Sequence, residues 1–411
     1  MGQLVVLLTT PLLSRIYSPD DYATLAMYTS LLLMVSLLGT FNVEMGIPAA
    51  KTEEDAWRAY SASWVLLGVS TVVLLGVTLV GGSPILRWLD MEAMLPYQWL
   101  VPVGFFLVGV LSIWTHWAYR RRDFGSIARL KVTRPLTQVA LSLALGLASI
   151  RPLGLILARM IGQGGGLLSL ARMRPKAEGD GATSSILLPW DQLKATLWAH
   201  RRFMTFTTVR RYLGDLTSAL PVLLLTALYA PGLVGAYGFT IGVIQAPLNV
   251  VSDAIAGVYF SDAARLKDKD PAYLRRRARH LLLVLGAGAV VVCLALLLLG
   301  EPVFSLIFGE RWSYAGSISA AVALGVCSRF VFKPVSNILD LLEAQAAALV
   351  LAVLRIGLIC VTILGVSLFQ WGPEAAIWAL GGAMMVGYAL QFLLADHLLG
   401  QRAASSGSSQ E

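Results

Sequence analysis

Apolar runs of bilayer length recur along the whole of this chain, and no other feature constrains its fold so tightly. A helical span needs about 20 predominantly apolar residues. By that measure the sequence predicts about twelve spans. Those of the first half lie near residues 3–14, 22–41, 61–80, 97–117, 136–150 and 152–171. Those of the second half lie near 203–229, 234–259, 281–299, 314–332, 347–369 and 375–394. In hydrocarbon every backbone polar group must be bonded internally, so uninterrupted runs of this length are read as helices. The expected fold class is all-α, a polytopic membrane protein. Composition agrees: 57% of residues are hydrophobic and 14% charged, where a soluble domain carries about 25% charged residues, and the mean hydropathy is +0.71. A signal peptide is excluded because no small-residue cleavage site follows the first run and apolar segments continue to the end.

The runs repeat. Leu12-Leu13-Ser14-Arg15-Ile16-Tyr17-Ser18-Pro19 is echoed by Leu224-Leu225-Thr226-Ala227-Leu228-Tyr229-Ala230-Pro231, each an apolar helix entering a Tyr-small-Pro turn. Gly82-Ser83-Pro84-Ile85 is echoed by Gly300-Glu301-Pro302-Val303, and Gly109-Val110-Leu111-Ser112 by Gly325-Val326-Cys327-Ser328. Three echoes in one order, each about half a chain apart, point to internal duplication.

Lysine and arginine fall in alternate loops: Arg120-Arg121-Arg122 with Arg129 and Lys131; Arg172, Arg174, Lys176, Lys194, Arg201 and Arg202; and Arg265, Lys267, Lys269, Arg275, Arg276, Arg277 and Arg279. Lys51 and Arg58 share that side, whereas the opposite loops hold only Arg15, Arg87, Arg151 and Arg311. The basic loops and both termini are therefore expected in the cytoplasm, and the net charge of +8 is topological rather than a sign of nucleic acid. The expected division is a first lobe over 1–171, a linker over 172–197, a second lobe over 198–400 and a disordered tail over 401–411. Residues 262–280 read as a charged amphipathic stretch suited to the membrane surface. The first run is short, which suggests a native start upstream of Met1.

Ser14-Arg15-Ile16-Tyr17-Ser18-Pro19-Asp20-Asp21-Tyr22-Ala23 resembles the opening motif of bacterial polysaccharide transporters, the O-antigen and exopolysaccharide flippases of the multidrug/oligosaccharidyl-lipid/polysaccharide exporter superfamily. Glu44-Met45-Gly46-Ile47 with Lys51-Thr52-Glu53-Glu54-Asp55-Ala56 resembles the next block, with Asn42 where the family usually has Arg. Phe308-Gly309-Glu310-Arg311-Trp312 with Ala315-Gly316 resembles a third. The resemblance implies a two-lobed bundle, six helices per lobe, around a central cavity. It implies transport of an undecaprenyl-pyrophosphate-linked oligosaccharide from the cytoplasmic to the outer leaflet of the bacterial inner membrane. It brings membrane lipid, and other polysaccharide assembly proteins, into view as partners. No cofactor is expected.

A charge at mid-bilayer costs at least about 2.5–3.5 kcal/mol, so each intramembrane charge needs a reason. Arg159 and Arg355 lie well inside apolar runs and are candidate phosphate ligands, since a guanidinium forks onto phosphate oxygens. Arg210 and Arg329 are further candidates, and Arg134 reads as an interfacial anchor. Glu44, Asp253 and Asp215 are candidate ion-coupling carboxylates; an Arg211–Asp215 pair and an ion pair with a nearby Arg are the plain alternatives. Gln138, Gln163, Gln245 and Asn249 are candidates to face sugar. Gly162-Gln163-Gly164-Gly165-Gly166 lacks the strand and the Lys-Ser/Thr of a phosphate loop and reads as helix packing. Trp99, Trp114, Trp117, Trp312, Trp371 and Trp378 read mainly as interfacial belt. Cys293, Cys327 and Cys360 have no metal or disulfide spacing. With no catalytic constellation, an enzyme is not expected. The rivals are a cation-coupled multidrug antiporter of the same superfamily, a polysaccharide polymerase or ligase, and a non-transporting scaffold.

Overall fold

Helices here start and stop at the residues that chemistry favours for those positions. In the computed structural model, which describes residues 2–171, 189–199, 201, 208–266, 270–336, 338–342 and 344–407, the first helix, α1 (Gly2–Ile16), ends where the Tyr-Ser-Pro motif begins. Ser18 then caps α2 (Pro19–Ser36): its Oγ accepts the Asp21 N–H at 3.2 Å while Asp21 Oδ2 accepts the Ser18 N–H at 2.8 Å. Two orphan amides are satisfied reciprocally, and Pro19 fills a position that needs no donor. Tyr17 is wholly buried, and its hydroxyl donates to the Ser142 carbonyl at 2.8 Å. The motif is thus a helix stop and start pinned into the bundle.

Past α2 the chain turns through Phe41 and Asn42, both at positive φ, into a 3-10 turn at Val43–Met45 and the short α3 (Gly46–Ala49). Thr52 Oγ1 accepts the Asp55 N–H at 3.0 Å and opens α4 (Glu53–Trp88), whose first turn holds Glu53, Glu54 and Asp55 against the positive end of the helix dipole. Then come α5 (Leu100–Arg120) and α6 (Phe124–Leu147). Asp123 caps α6, and the hydrogen bond from the Ser126 backbone holds its carboxyl below the usual range. A tight turn with Ser149 at positive φ leads into α7 (Leu153–Ala171). The stretches 136–150 and 152–171 are therefore separate helices. They run antiparallel, since Gly154 lies against Leu145 and Gly162 against Gln138. A Cβ at Gly162 would come 2.8 Å from the Gln138 Cβ, so Gly162 serves close packing. After α8 (Trp190–Ala199) comes α9 (Thr208–Leu228); the stretch 172–188, read as linker, lies outside the described residues.

The second half continues with α10 (Pro231–Leu266), α11 (Pro271–Phe308), α12 (Ser313–Ser317), α13 (Ser319–Ser336), α14 (Ile338–Leu341), α15 (Gln345–Leu368) and α16 (Pro373–Gly407). Residues 271–280, read as part of a surface-lying stretch, are instead the first turns of α11. Nothing after the Asp270 cap and Pro271 interrupts the helix. At 1.5 Å per residue α11 is about 57 Å long, well beyond the roughly 30 Å of hydrocarbon, so its charged end projects past the apolar part. Likewise α16 runs through Gly407, where a disordered tail was expected from residue 401, and Arg402 Nη2 donates to the Leu342 carbonyl at 3.3 Å. Trp312 is also no belt residue. Gly309 at φ +99° turns the chain so that Trp312 is buried, stacked on Phe239 at 3.9 Å between ring centres. Trp99, Trp371 and Trp378 are exposed, as belt residues are; Trp117 is buried.

All twelve expected stretches carry helix among the described residues. Among the described residues, six helices are long and apolar enough to cross a membrane, within α4, α5, α10, α11, α15 and α16. A seventh is added if the pair Glu310–Ser317 and Ser319–Val335, bent by 56°, is one span. Val5–Ile16 of α1 and Leu153–Gln163 of α7 are apolar as well. Polar residues dilute the rest: Asp20 and Asp21 in α2, Arg129, Lys131 and Arg134 in α6, and Arg210, Arg211 and Asp215 in α9.

Two compact units divide the chain, Met1–Ala227 and Leu228–Glu411. Within the first, α5 packs on α2, α4 and α7, and α6 pairs with α7. Within the second, α13 packs on α10, α11 and α16, and α15 pairs with α16. These pairings correspond one for one under the duplication read from the echoes. Tyr229, the counterpart of Tyr17, donates to the Trp371 carbonyl at 2.8 Å, again tying the Tyr-Pro turn to the penultimate helix or its exit.

Candidate functional site

In the first unit, breaking α2 early brings a carboxylate inside. Glu44, expected at or near the end of the second helix, stands on the 3-10 turn beyond it and is 4% exposed. Ser112 Oγ on α5 donates to its Oε1 at 2.9 Å, while Oε2 is buried without a partner. No cation among the described residues pairs with it. Asn42, in the place of the family's usual Arg, is equally buried; its Nδ2 donates to Thr208 Oγ1 at 2.9 Å, and its Oδ1 has no partner. Buried polar atoms without partners cost free energy, and this one turn carries two of them.

Arg120 holds this turn. Its Nη1 donates to the carbonyls of Ile47 (3.2 Å) and Ala50 (2.8 Å), and its Nη2 to the Thr52 carbonyl (3.0 Å) and Glu53 Oε1 (2.8 Å). Sequence reading counted Arg120 only as loop charge. Beside it a continuous aromatic wall joins α4 to α5: Tyr60 stacks on Trp57 and meets Trp117, and Trp64 meets Phe106 and Trp114, with neighbouring ring centres 5.2–6.5 Å apart. The buried Trp64 Nε1 has no acceptor.

Arg159 is half-buried on α7, within electrostatic reach of Tyr28 on α2 and of Arg134 on α6. Arg134, read as an interfacial anchor, is thus brought by the α6–α7 hairpin within electrostatic reach of Arg159. Among the described residues neither guanidinium forms an ion pair or a hydrogen bond. Gln163, one turn beyond Arg159, is buried, and its Oε1 is unpartnered. Gln138 lies at the hairpin contact.

In the second unit Arg355 on α15 is 8% exposed. Its Nη2 donates to Gln391 Oε1, its guanidinium lies 3.9 Å over the Tyr388 ring centre, and its Nε is buried without a partner. Arg329 on α13 is its charged neighbour. Tyr388 and Gln391 carry no sequence signal of their own, because helical spacing places them on Arg355 only once the α15–α16 pairing is known. Asp253 pairs with Lys333 at 2.5 Å in a half-exposed position. Asp215 is half-buried on α9, and Arg211 is exposed with its Nη1 directed to Met45 Sδ at 3.3 Å. The Arg210 side chain lies outside the described residues. Gln245 and Asn249 are half-buried on α10. No group of three or more potential metal ligands occurs among the described residues.

Among the described residues, then, buried carboxylate, amide and guanidinium groups stand without ionic partners in both units. A family model described as polysaccharide biosynthesis protein matches residues 12–316, well over half of the chain. The chain belongs to that family. The succinoglycan biosynthesis transport protein ExoT of Rhizobium meliloti (strain 1021) is 22% identical over 420 residues, covering 94% of this chain and 76% of that protein. The fold is shared with the lipid II flippase MurJ in an inward closed conformation (TM-score 0.73, 13% identity, 98% of this chain and 89% of that one). It is also shared with an inward-facing multidrug resistance MATE family transporter of the MOP superfamily (TM-score 0.65, 13% identity, 99% and 96%). This is a multi-pass membrane protein of that family, with the fold that the lipid II flippase and the MATE transporters share.

Proposed function

We propose that the chain flips an undecaprenyl-pyrophosphate-linked oligosaccharide from the cytoplasmic to the outer leaflet by alternating access. In this reading about twelve spans form two six-helix lobes around a central cavity, and the basic loops and both termini face the cytoplasm. Arg159 and Arg355, with Arg210 and Arg329, receive the pyrophosphate; Glu44 carries the coupling ion, with Asp253 and Asp215 as further candidates. The observation that carries the reading is the presence of intramembrane guanidiniums with no carboxylate paired to them among the described residues. A charge buried without its counter-charge is costly, and an arriving phosphate is a fitting partner. The family description and the name of the Rhizobium relative support a polysaccharide substrate.

The second reading is a cation-coupled multidrug antiporter. Its support is at the level of fold, since several of the solved structures that share the fold are multidrug or MATE transporters. Glu44, buried without a cation, is the residue such an antiporter would use.

One experiment separates the two. The gene is deleted in its host, and lipid-linked glycans are assayed on each membrane face alongside drug susceptibility. The flippase reading expects complete repeat units stalled on the cytoplasmic face, with rescue by the parent gene and none by the Arg159→Ala/Arg355→Ala double variant at equal protein level. Unchanged glycans together with new drug sensitivity would replace it with the antiporter.

A further inference from the structure

The short helix α8 has two faces of different kind. Leu193 and Thr196 are buried and Leu197 is half-buried, and the two leucines pack with Val43, Ala62, Val65 and Leu66. Trp190 and Trp198, by contrast, are 73% and 68% exposed, and Lys194, midway between them, is exposed as well. Residues four apart lie on one side of a helix, so these three form a single stripe alongside the buried face. Arg201 joins it, for its guanidinium lies 4.4 Å over the Trp198 ring centre. In water two bare indoles would waste apolar surface, and in hydrocarbon the lysine between them would be costly. The layer between the two suits both, since an indole has an apolar body and a polar N–H while a lysine snorkels to the headgroups.

The level of α8 agrees. On α4 the last charge before the apolar run is Arg58, and none follows until Arg87. Ala62, Val65 and Leu66, which hold α8, lie about 6–12 Å beyond Arg58 at 1.5 Å per residue. An interfacial helix lies about 5–10 Å into the boundary between headgroups and acyl chains. Charge then selects the headgroup. The acids at this end of α4 are engaged, Glu53 with Arg120 and Glu54 with Arg58. Among the described residues no carboxylate pairs with Lys194, Asp191 of the same helix included.

We propose that α8 is a lipid-docking helix whose Trp190–Lys194–Trp198 stripe, with Arg201, binds anionic phospholipid headgroups in the leaflet at the N-terminal end of α4. The proposal goes beyond the flippase reading and does not depend on it. Leu193 packs with Val43, next to Glu44, so lipid held on the outer face of α8 steadies the turn that carries this carboxylate.

The test is hydrogen exchange of the full chain in nanodiscs of phosphatidylcholine alone and of phosphatidylcholine with phosphatidylglycerol, at low and at high salt. Two cations near an anionic surface should slow exchange of the α8 amides roughly tenfold in the charged discs, and high salt should erase the difference. The amides of Val43 and Glu44 should slow with them. Lys194→Gln/Arg201→Gln should remove the dependence on lipid charge, and Lys194→Arg, which keeps the charge, should preserve it. These positions are exposed, so the variants should fold, and unfolding midpoints check that they do. Independently, dibrominated phosphatidylglycerol should quench a larger fraction of the indole fluorescence in the parent than in Trp190→Phe/Trp198→Phe. Equal α8 exchange in the two kinds of disc overturns the proposal, as does a lipid dependence that survives Lys194→Gln/Arg201→Gln. Equal fractional quenching of the parent and Trp190→Phe/Trp198→Phe overturns it too. Slowing at Val43 and Glu44 without any at α8 would place the lipid elsewhere, against the proposal. Protection that rises with the number of copies per disc, whatever the lipid, would give this face to a second copy of the chain instead. Glycan export enters none of these readouts, so failure of the flippase reading would leave them standing.

Discussion

Arg120, Arg121 and Arg122 read as one block of positive charge, yet the structure gives them different work, and substitution will separate them. Removing the Arg120 side chain breaks two bonds to the carbonyls of Ile47 and Ala50, one to the Thr52 carbonyl and one to Glu53. A hydrogen bond from a charged donor contributes about 1.5–3 kcal/mol where water cannot replace it. Water can replace it at Thr52 and Glu53, which are exposed, and an exposed ion pair contributes at most about 1 kcal/mol. Ile47 is wholly buried, so its carbonyl keeps most of its loss. Arg120→Ala should therefore cost about 2–4 kcal/mol, a fall of roughly 5–15 °C in unfolding midpoint for a unit of this size. Arg122→Ala removes an exposed side chain at positive φ and should stay within about 0.5 kcal/mol of the parent. The assay is thermal unfolding of purified protein in detergent at one scan rate, because membrane proteins commonly unfold irreversibly. A midpoint for Arg120→Ala within about 2 °C of the parent, or an equal loss in Arg122→Ala, would refute the clamp.

Two other outcomes follow from the repeat. Tyr17→Phe removes a bond inside a wholly buried setting and should cost about 1 kcal/mol, whereas Tyr229→Phe, at an exposed bond, should cost less than about half of that; unfolding midpoints of the two variants decide it. Glu44→Gln should reduce gradient-driven export at least about tenfold without lowering protein level, while Asp253→Asn, whose partner Lys333 is free to reach water, should leave export within about twofold, read as surface glycan in the complemented deletion strain.

Helices were legible because their cause is local. Apolar length, the Tyr-Ser-Pro stop, the Thr52 cap with its acidic first turn, and the exclusion of a phosphate loop at Gly162 all follow from neighbouring residues, and the structure uses each of them so. Partners across the fold were not. Trp312 reads as belt from its place at the edge of an apolar run, and only the turn at Gly309 delivers it onto Phe239. Glu44 was found as a notable acid, but its separation from α2 depends on two residues at positive φ, Phe41 and Asn42, neither of them a glycine. Arg134 precedes a proline at a run's edge, which suggests an anchor; the antiparallel register of α6 and α7 is what brings it within electrostatic reach of Arg159. The one signal that could have found it was positional, its place in α6 matching that of Arg355 in α15.

That positional signal bears on how a duplicated transporter diverges. The pairings of helices are kept in both units, because a change there would disturb packing along a whole interface. Charges sit at points on that scaffold and change singly. Hence in each repeat an acid, on the turn after α2 in one and on α10 in the other, still meets the fourth span, but with opposite consequences: Glu44 meets the Ser112 hydroxyl and keeps an unpartnered oxygen, whereas Asp253 meets Lys333 and is neutralised. A carboxylate already held by an ammonium has little left to offer a coupling ion, and one that faces only a hydroxyl retains its capacity. Arg134 and Arg355, by contrast, stand at the same place in α6 and α15. If transport needs a coupling ion in only one unit, this is the distribution of charge that duplication followed by single substitutions would leave.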